Sequence, residues 1–184
     1  MVKGKLSMLV AIIVILGFYS GCENYPTSPQ STEGGIEIVR LSPPEGAVIL
    51  SGPLYAEAWI EAEEGGEVVL SAEYIDWRIE HTVEIPAGAL PRDTTVSISL
   101  PHPFVVMIEL EPSHVSFSLP VEVELSYDGF SCGGMMSSEL GMFWWDEDNQ
   151  VWVPIDANIE VEEHELNVSF TLEHFSRYAL ARSD

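Results

Sequence analysis

Apolar and polar residues alternate along most of the chain. Thr94-Thr95-Val96-Ser97-Ile98-Ser99-Leu100 puts Val96, Ile98 and Leu100 on one face of an extended strand. Val121-Glu122-Val123-Glu124-Leu125 alternates strictly, and residues 166–172 do the same. The same reading predicts strands over 36–41, 55–60, 67–71, 81–85, 105–110, 115–118, 142–145, 151–155, 159–161 and 175–181. Gly, Pro, Asp, Asn or Ser separates many of these runs. Residues 42–52, with Pro43, Pro44, Gly46 and Gly52, read as a loop with room for a short strand at 48–50. No amphipathic helix is predicted after Gly35. Many short strands with close turn signals indicate a sandwich or a barrel.

The first residues follow another rule. Lys3 and Lys5 precede an apolar run from Met8 to Tyr19, and Ser20-Gly21-Cys22 follows it. A basic start and a short apolar stretch form the pattern of a secretory signal. The run is too short for a bilayer span, which needs ~20 apolar residues. Small residues before a cysteine resemble a bacterial lipobox, in which the cysteine is acylated and becomes the new N-terminus. Ordinary signal cleavage fits worse, because a cut after Gly21 or Ser20 would put Tyr19 or Phe18 at a position that wants a small residue. Residues 1–21 are therefore expected to be a signal peptide. Residues 22–35 are expected to be a lipidated Cys22 and a flexible tether rich in Pro, Ser, Thr and Gly. Residues 36–184 are expected to form the sandwich.

Charge narrows the partners. The chain carries 7 Lys and Arg against 30 Asp and Glu, a net charge of −23. Both lysines lie in the leader. Such a surface repels phosphate backbones, so nucleic acid is excluded as a partner. Contact with a membrane is expected only through acylated Cys22. The acids occupy alternate strand positions, as at Glu122, Glu124, Glu160 and Glu162, and read as a solvated sheet face. A hydrophobic share of 46% excludes disorder for most of the length. Cys22 and Cys132 are the two cysteines, so acylation of Cys22 leaves no internal disulfide.

Three stretches carry a resemblance. Val83-Glu84-Ile85-Pro86-Ala87-Gly88-Ala89-Leu90-Pro91 runs from a strand into a Pro-Gly turn. Residues 110–121 form a second strand–turn–strand unit. Residues 144–154 read as a hairpin, and His174-Phe175-Ser176-Arg177-Tyr178-Ala179 closes the series. In this order they resemble the ZU-five domain, the β-sandwich module of ankyrins, netrin receptors and zonula occludens scaffolds, over residues 67–182. The resemblance implies an all-β, antiparallel sandwich of many short strands that binds and displays without catalysis. Residues 36–62 lie outside the match. They either add strands to the sandwich or form a small packed extension.

Several residues could carry chemistry. The resemblance implies one possibility at His174-Phe175-Ser176, a triplet that in some relatives cleaves itself between Phe and Ser. In a strand His174 and Ser176 would share a face, so His174 could take the proton of the Ser176 hydroxyl as it attacks the Phe175 carbonyl. The rival reading makes Phe175 a core residue and the triplet a packing signature. Asp146, Asp148 and Asn149 offer oxygen ligands for calcium, but they sit between Trp144-Trp145 and Val151-Trp152, where a hairpin turn is the simpler reading. Trp144 and Trp152 are candidate glycan or peptide contacts. Either Phe143 and Trp145 face the core with Trp144 outward, or the reverse. The five histidines lack zinc spacing, and no nucleophile, phosphate-loop or metalloprotease motif is present. No cofactor is expected. The sequence alone thus predicts a non-catalytic lipoprotein of the bacterial cell envelope, facing periplasm or exterior, with an unknown protein or glycan partner. The alternatives are a self-processing domain cut between Phe175 and Ser176, and a calcium- or glycan-dependent surface adhesin.

Overall fold

The computed structural model describes residues 32–33, 35–47, 53–113 and 115–182. The expected signal peptide, Cys22, the tether up to residue 31 and the possible strand at 48–50 lie outside the described residues.

The described chain is all-β apart from one turn of 3-10 helix at Ser137–Glu139. A minimal hairpin comes first, β1 (Thr32–Glu33) and β2 (Ile36–Glu37). Then come β3 (Leu54–Ile60), β4 (Gly66–Tyr74), β5 (Trp77–Ile85), β6 (Thr94–Leu100), β7 (Met107–Glu111) and β8 (Ser116–Asp128). The series ends with β9 (Leu140–Asp146), β10 (Val151–Ile155), β11 (Ala157–Val161), β12 (Glu165–His174) and β13 (Arg177–Arg182). One sheet has the order β10-β9-β13-β7-β6-β3 and the other β11-β12-β8-β5-β4. Neighbouring strands pair antiparallel throughout, and the two sheets form a β-sandwich.

The alternation explains the packing. Strand β5 turns Trp77, Ile79, His81, Val83 and Ile85 into the core and leaves Arg78 and Glu84 in solvent. Strands β6, β8 and β12 contribute Val96, Ile98, Leu100, Val121, Val123, Leu125, Leu166, Val168, Phe170 and Leu172 to the same core. Each fully buried aliphatic or phenyl side chain stabilises the fold by about 1.5–3 kcal/mol. The Pro-Gly turn after β5 forms as expected, with the Ala89 amide donating to the Pro86 carbonyl at 3.0 Å. Gly65 precedes β4 with φ +73°, and a Cβ there would lie 2.7 Å from the Ala87 amide nitrogen. Only glycine fits that approach of two turns.

The expected strands 67–71 and 81–85 extend to meet in one long hairpin, β4 and β5, and three further departures change the topology. The expected strands 115–118 and 121–125 are one long strand, β8, which runs through Pro120. Pairing with β12 is broken there, jumping from Leu172–Val121 to His174–Ser116. A proline without an N–H is tolerated at such an irregularity. The expected strand 36–41 is instead short β2 followed by isolated bridges from Ile38 to Ala181 and from Arg40 to Val105. Val39 is wedged between β13 and the lead into β7, donating to the Leu180 carbonyl at 2.8 Å and accepting from Val106 at 3.1 Å. The expected strand 175–181 begins only at Arg177. Phe175 and Ser176 form the step from β12 in one sheet to β13 in the other. Residues 54–60, outside the family resemblance, form the edge strand β3 of the six-stranded sheet.

One core residue is polar. His81 is 0% exposed and packs edge-on against Tyr127, with ring centroids 4.7 Å apart. Burial lowers its pKa to about 4 from 6.5, and the Glu80 backbone only partly offsets this. The neutral ring is therefore favoured in the folded state. Its contribution to stability is full above pH 6.5 and is lost as pH falls through about 4. At pH 5 the loss relative to neutral pH is about 2 kcal/mol. Urea unfolding of His81→Leu at pH 7 and pH 5 should show a smaller drop between the two than the wild type does. Equal drops would mean that His81 does not titrate on unfolding in this range.

Candidate functional site

The hairpin of β9 and β10 builds the most featured part of the surface. Alternation sends Met142 and Trp144 toward the main core, while Phe143 and Trp145 face the other side of the sheet. Of the two orientations left open by the sequence, the structure takes the one with Trp144 inward. Trp145 pairs across the hairpin with Trp152, with ring centroids 5.3 Å apart. Both belong to a second, smaller cluster around Ile38, Ala179, Met107 and Phe143. Trp152 is only 7% exposed, so this candidate contact is a packing residue. Cross-strand pairing with Trp145 buries it in that cluster.

Trp144 is half-buried and meets the imidazole of His174 edge-on, with centroids 4.6 Å apart. The two rings separate two hollows. One of about 260 Å³ is lined by Ser113, Trp144, Asp146, Asp148, His174 and Ser176 among others. The other, of about 530 Å³, includes Trp144, Pro154, Asp156, Glu173, His174 and Tyr178. The fold thus brings the acidic turn, the His174-Phe175-Ser176 triplet and Trp144 to one place. Trp152 is not part of it.

The turn is held by its own side chains. Asp146 accepts from the amides of Asp148 and Asn149 at 3.0 and 3.1 Å, and from the Asn149 side-chain amide at 2.7 Å. The bond from the Asn149 side chain, then that from its backbone, holds the carboxyl below its ordinary value. The left-handed residue of the loop is Gln150, with φ 53°. Asp146 and Asn149 therefore close the turn through side-chain hydrogen bonds, while Gln150 takes the left-handed position. These bonds use both oxygens of Asp146 in closing the turn.

The triplet is arranged differently from a continuous strand. The chain leaves β12 at His174, so the shared face expected for His174 and Ser176 does not apply. The Ser176 hydroxyl donates to the Trp145 carbonyl at 2.9 Å. The carbonyl of His174 accepts from the Tyr178 hydroxyl at 2.6 Å. Among the described residues no hydrogen bond joins His174 to Ser176. Phe175 is buried against Phe117, with ring centroids 4.6 Å apart. Each member of the triplet thus has a place in the packing of the crossover.

The most exposed tryptophan of the described residues was not among the candidates. Trp59 is 62% exposed on β3, and Tyr55 on the same face is 60% exposed. The signal lay in parity. Glu57 sits between them, and an outward Glu57 requires Tyr55 and Trp59 to point outward too. Among the described residues no helix is long and apolar enough to cross a membrane. The chain matches no protein-family model and no curated protein.

Removing the Asp146 side chain should weaken the hairpin. Asp146→Ala is expected to lower the melting temperature. Millimolar calcium should leave the wild-type melting temperature unchanged. A calcium-dependent rise that the substitution abolishes would instead identify the turn as a metal site.

Proposed function

We propose that the protein is a non-catalytic lipoprotein of the bacterial cell envelope, anchored through acylated Cys22 and displaying an acidic β-sandwich of the ZU-five type for protein or surface contact. The observation that carries the interaction reading is a row of like charges. Glu67 on β4 stands opposite Glu84 on β5, which stands opposite Glu122 on β8. Like charges directly across a sheet are destabilising. The fold tolerates this cost on a solvated face, and the same aligned charges attract a basic partner. The leader supports the anchor: Lys3 and Lys5, the apolar run and Ser20-Gly21-Cys22 stand in the order of a lipoprotein signal. Two or three acyl chains would hold such a protein firmly, at ~0.8 kcal/mol per buried methylene.

The contacts of the triplet favour this reading over self-processing. The Ser176 hydroxyl donates a hydrogen bond to the Trp145 carbonyl, and His174 is packed on Trp144. Neither arrangement prepares an attack on the Phe175 carbonyl. The bonds to Asp146 favour a structural turn over a calcium-dependent adhesin.

Intact mass of the full-length chain, expressed in a bacterium and extracted with detergent, tests the proposal. The expected species is residues 22–184 plus acyl chains, and Cys22→Ala should abolish the acylated form. A mature chain without lipid would overturn the anchor. A body ending at Phe175 with a separate peptide from Ser176 would make self-processing the function.

A further inference from the structure

Strand β3 ends the six-stranded sheet, and among the described residues it pairs only with β6. An edge strand offers a row of backbone donors and acceptors to another chain. The other edges of the sandwich are less suited to receive one. Strand β10 contains Pro154, which has no N–H. Strand β11 is only five residues long and presents Asn158 and Glu160 outward, with no aromatic ring. Strand β4 presents Glu67, Val69, Ser71 and Glu73 outward, and its one exposed ring, Tyr74, sits at the strand end stacked on Trp77. Strand β3 alone combines a seven-residue proline-free edge with two large exposed aromatic rings.

The chemistry of its outer face is consistent. Tyr55, Glu57 and Trp59 point outward in alternation, and the Tyr55 hydroxyl donates to the Glu57 carboxylate at 2.6 Å. Across from them on β6 stand Ser99, Ser97 and Thr95 in register. Beyond lie Glu111, opposite Ser97, and Glu109, opposite Ser99. Aromatic faces attract cations, and a carboxylate between two rings adds a full charge to that attraction.

We propose that β3 is a docking edge for a partner protein that presents an extended segment with lysine or arginine at alternate positions, which adds to the sheet and lays its cations beside Tyr55, Glu57 and Trp59. This rests on the reading of the protein as an interaction module. Backbone pairing along β3 would supply affinity, and the outward side chains specificity. Charge selects the occupant. A second copy would bring another β3 and another Glu57 to the edge, in a chain of net charge −23 whose two lysines both lie outside the sandwich. The tether cannot fill the edge with cations either, because both lysines, Lys3 and Lys5, lie before Cys22.

Amide hydrogen exchange of the full-length chain in detergent micelles tests this, with two synthetic peptides of eight residues. An alternating lysine–threonine peptide should slow exchange over residues 54–60. A lysine–proline peptide of equal charge, which cannot extend a sheet, should not. Glu57→Lys should weaken binding of the first peptide by about tenfold. Glu57→Gln, which keeps the shape and removes the charge, should weaken it less. Protection of β9 and β12 in place of β3 would overturn the edge assignment and leave the interaction reading intact. Absence of binding by the lysine–threonine peptide would also overturn the assignment, while the acyl mass judges the anchor separately. Protection of residues 54–60 by cellohexaose instead of the peptide would make the strip a glycan site. Protection that rises with protein concentration alone would make it a self-association edge. Either result would overturn the proposal.

Discussion

The two sheets depend on the packing of Phe175 where the chain steps from β12 to β13. That phenyl ring is buried and edge-on to Phe117, which comes from the irregular start of β8. The backbone around it is tied to neighbours on both sides. The Phe175 amide donates to Val115 at 3.3 Å, and the Ser176 carbonyl accepts from Leu110 at 3.0 Å. Tyr178, the next inward residue, reaches back to the His174 carbonyl. Without this joint, β13 would lose the placement that lets it lie between β7 and β9. Residues with the look of a catalytic triplet are thus occupied in holding two layers together.

The outer surface follows from the same alternation that fills the core. Every inward Val or Ile on β5 and β8 leaves an outward neighbour, and at Glu84, Glu122 and Glu124 that neighbour is acidic. Hydrophobic burial tolerates this repulsion, because like charges cost far less in solvent than an apolar side chain gains inside. Cations are scarce, and several are already used in ion pairs: Arg78 with Glu80, Arg177 with Glu109 at 3.2 Å, and Arg182 with Glu37 at 3.6 Å. The electrostatic field of the folded body therefore favours basic partners, and salt should weaken any such contact.

Strands with strict alternation were legible in the sequence, because period two has one structural meaning when one face is buried. Strands β6 and β12 and the part of β8 after Pro120 belong here, as does the hairpin closed by Asp146 and Asn149. The events at strand ends were not legible. Whether Phe175 continues β12 or leaves it depends on which sheet receives β13, and that is a long-range fact. Pro120 read as a break because local propensity cannot see that its partner strand is irregular at the same point. Trp152 was a candidate contact by residue type alone, and its burial became visible only with Trp145 and the second apolar cluster supplied by Ile38 and Met107. His81 was not legible either: the expected strand began at 81, and only the full strand from Trp77 to Ile85 shows that His81 shares the buried face of Ile79 and Val83. Trp59 was readable through Glu57 but does not stand out without a spatial map of the sheet edge.

The most direct test of this account is equilibrium unfolding of Phe175→Ala in the full-length chain, read together with amide hydrogen exchange. Loss of the ring should cost about 3–5 kcal/mol. Exchange should quicken in β12 and in β7, β9 and β13 together, because the joint serves both sheets. A cost below ~1 kcal/mol, outside the range for a buried phenyl ring, or faster exchange confined to β13, would contradict the claim that the crossover holds the sandwich together.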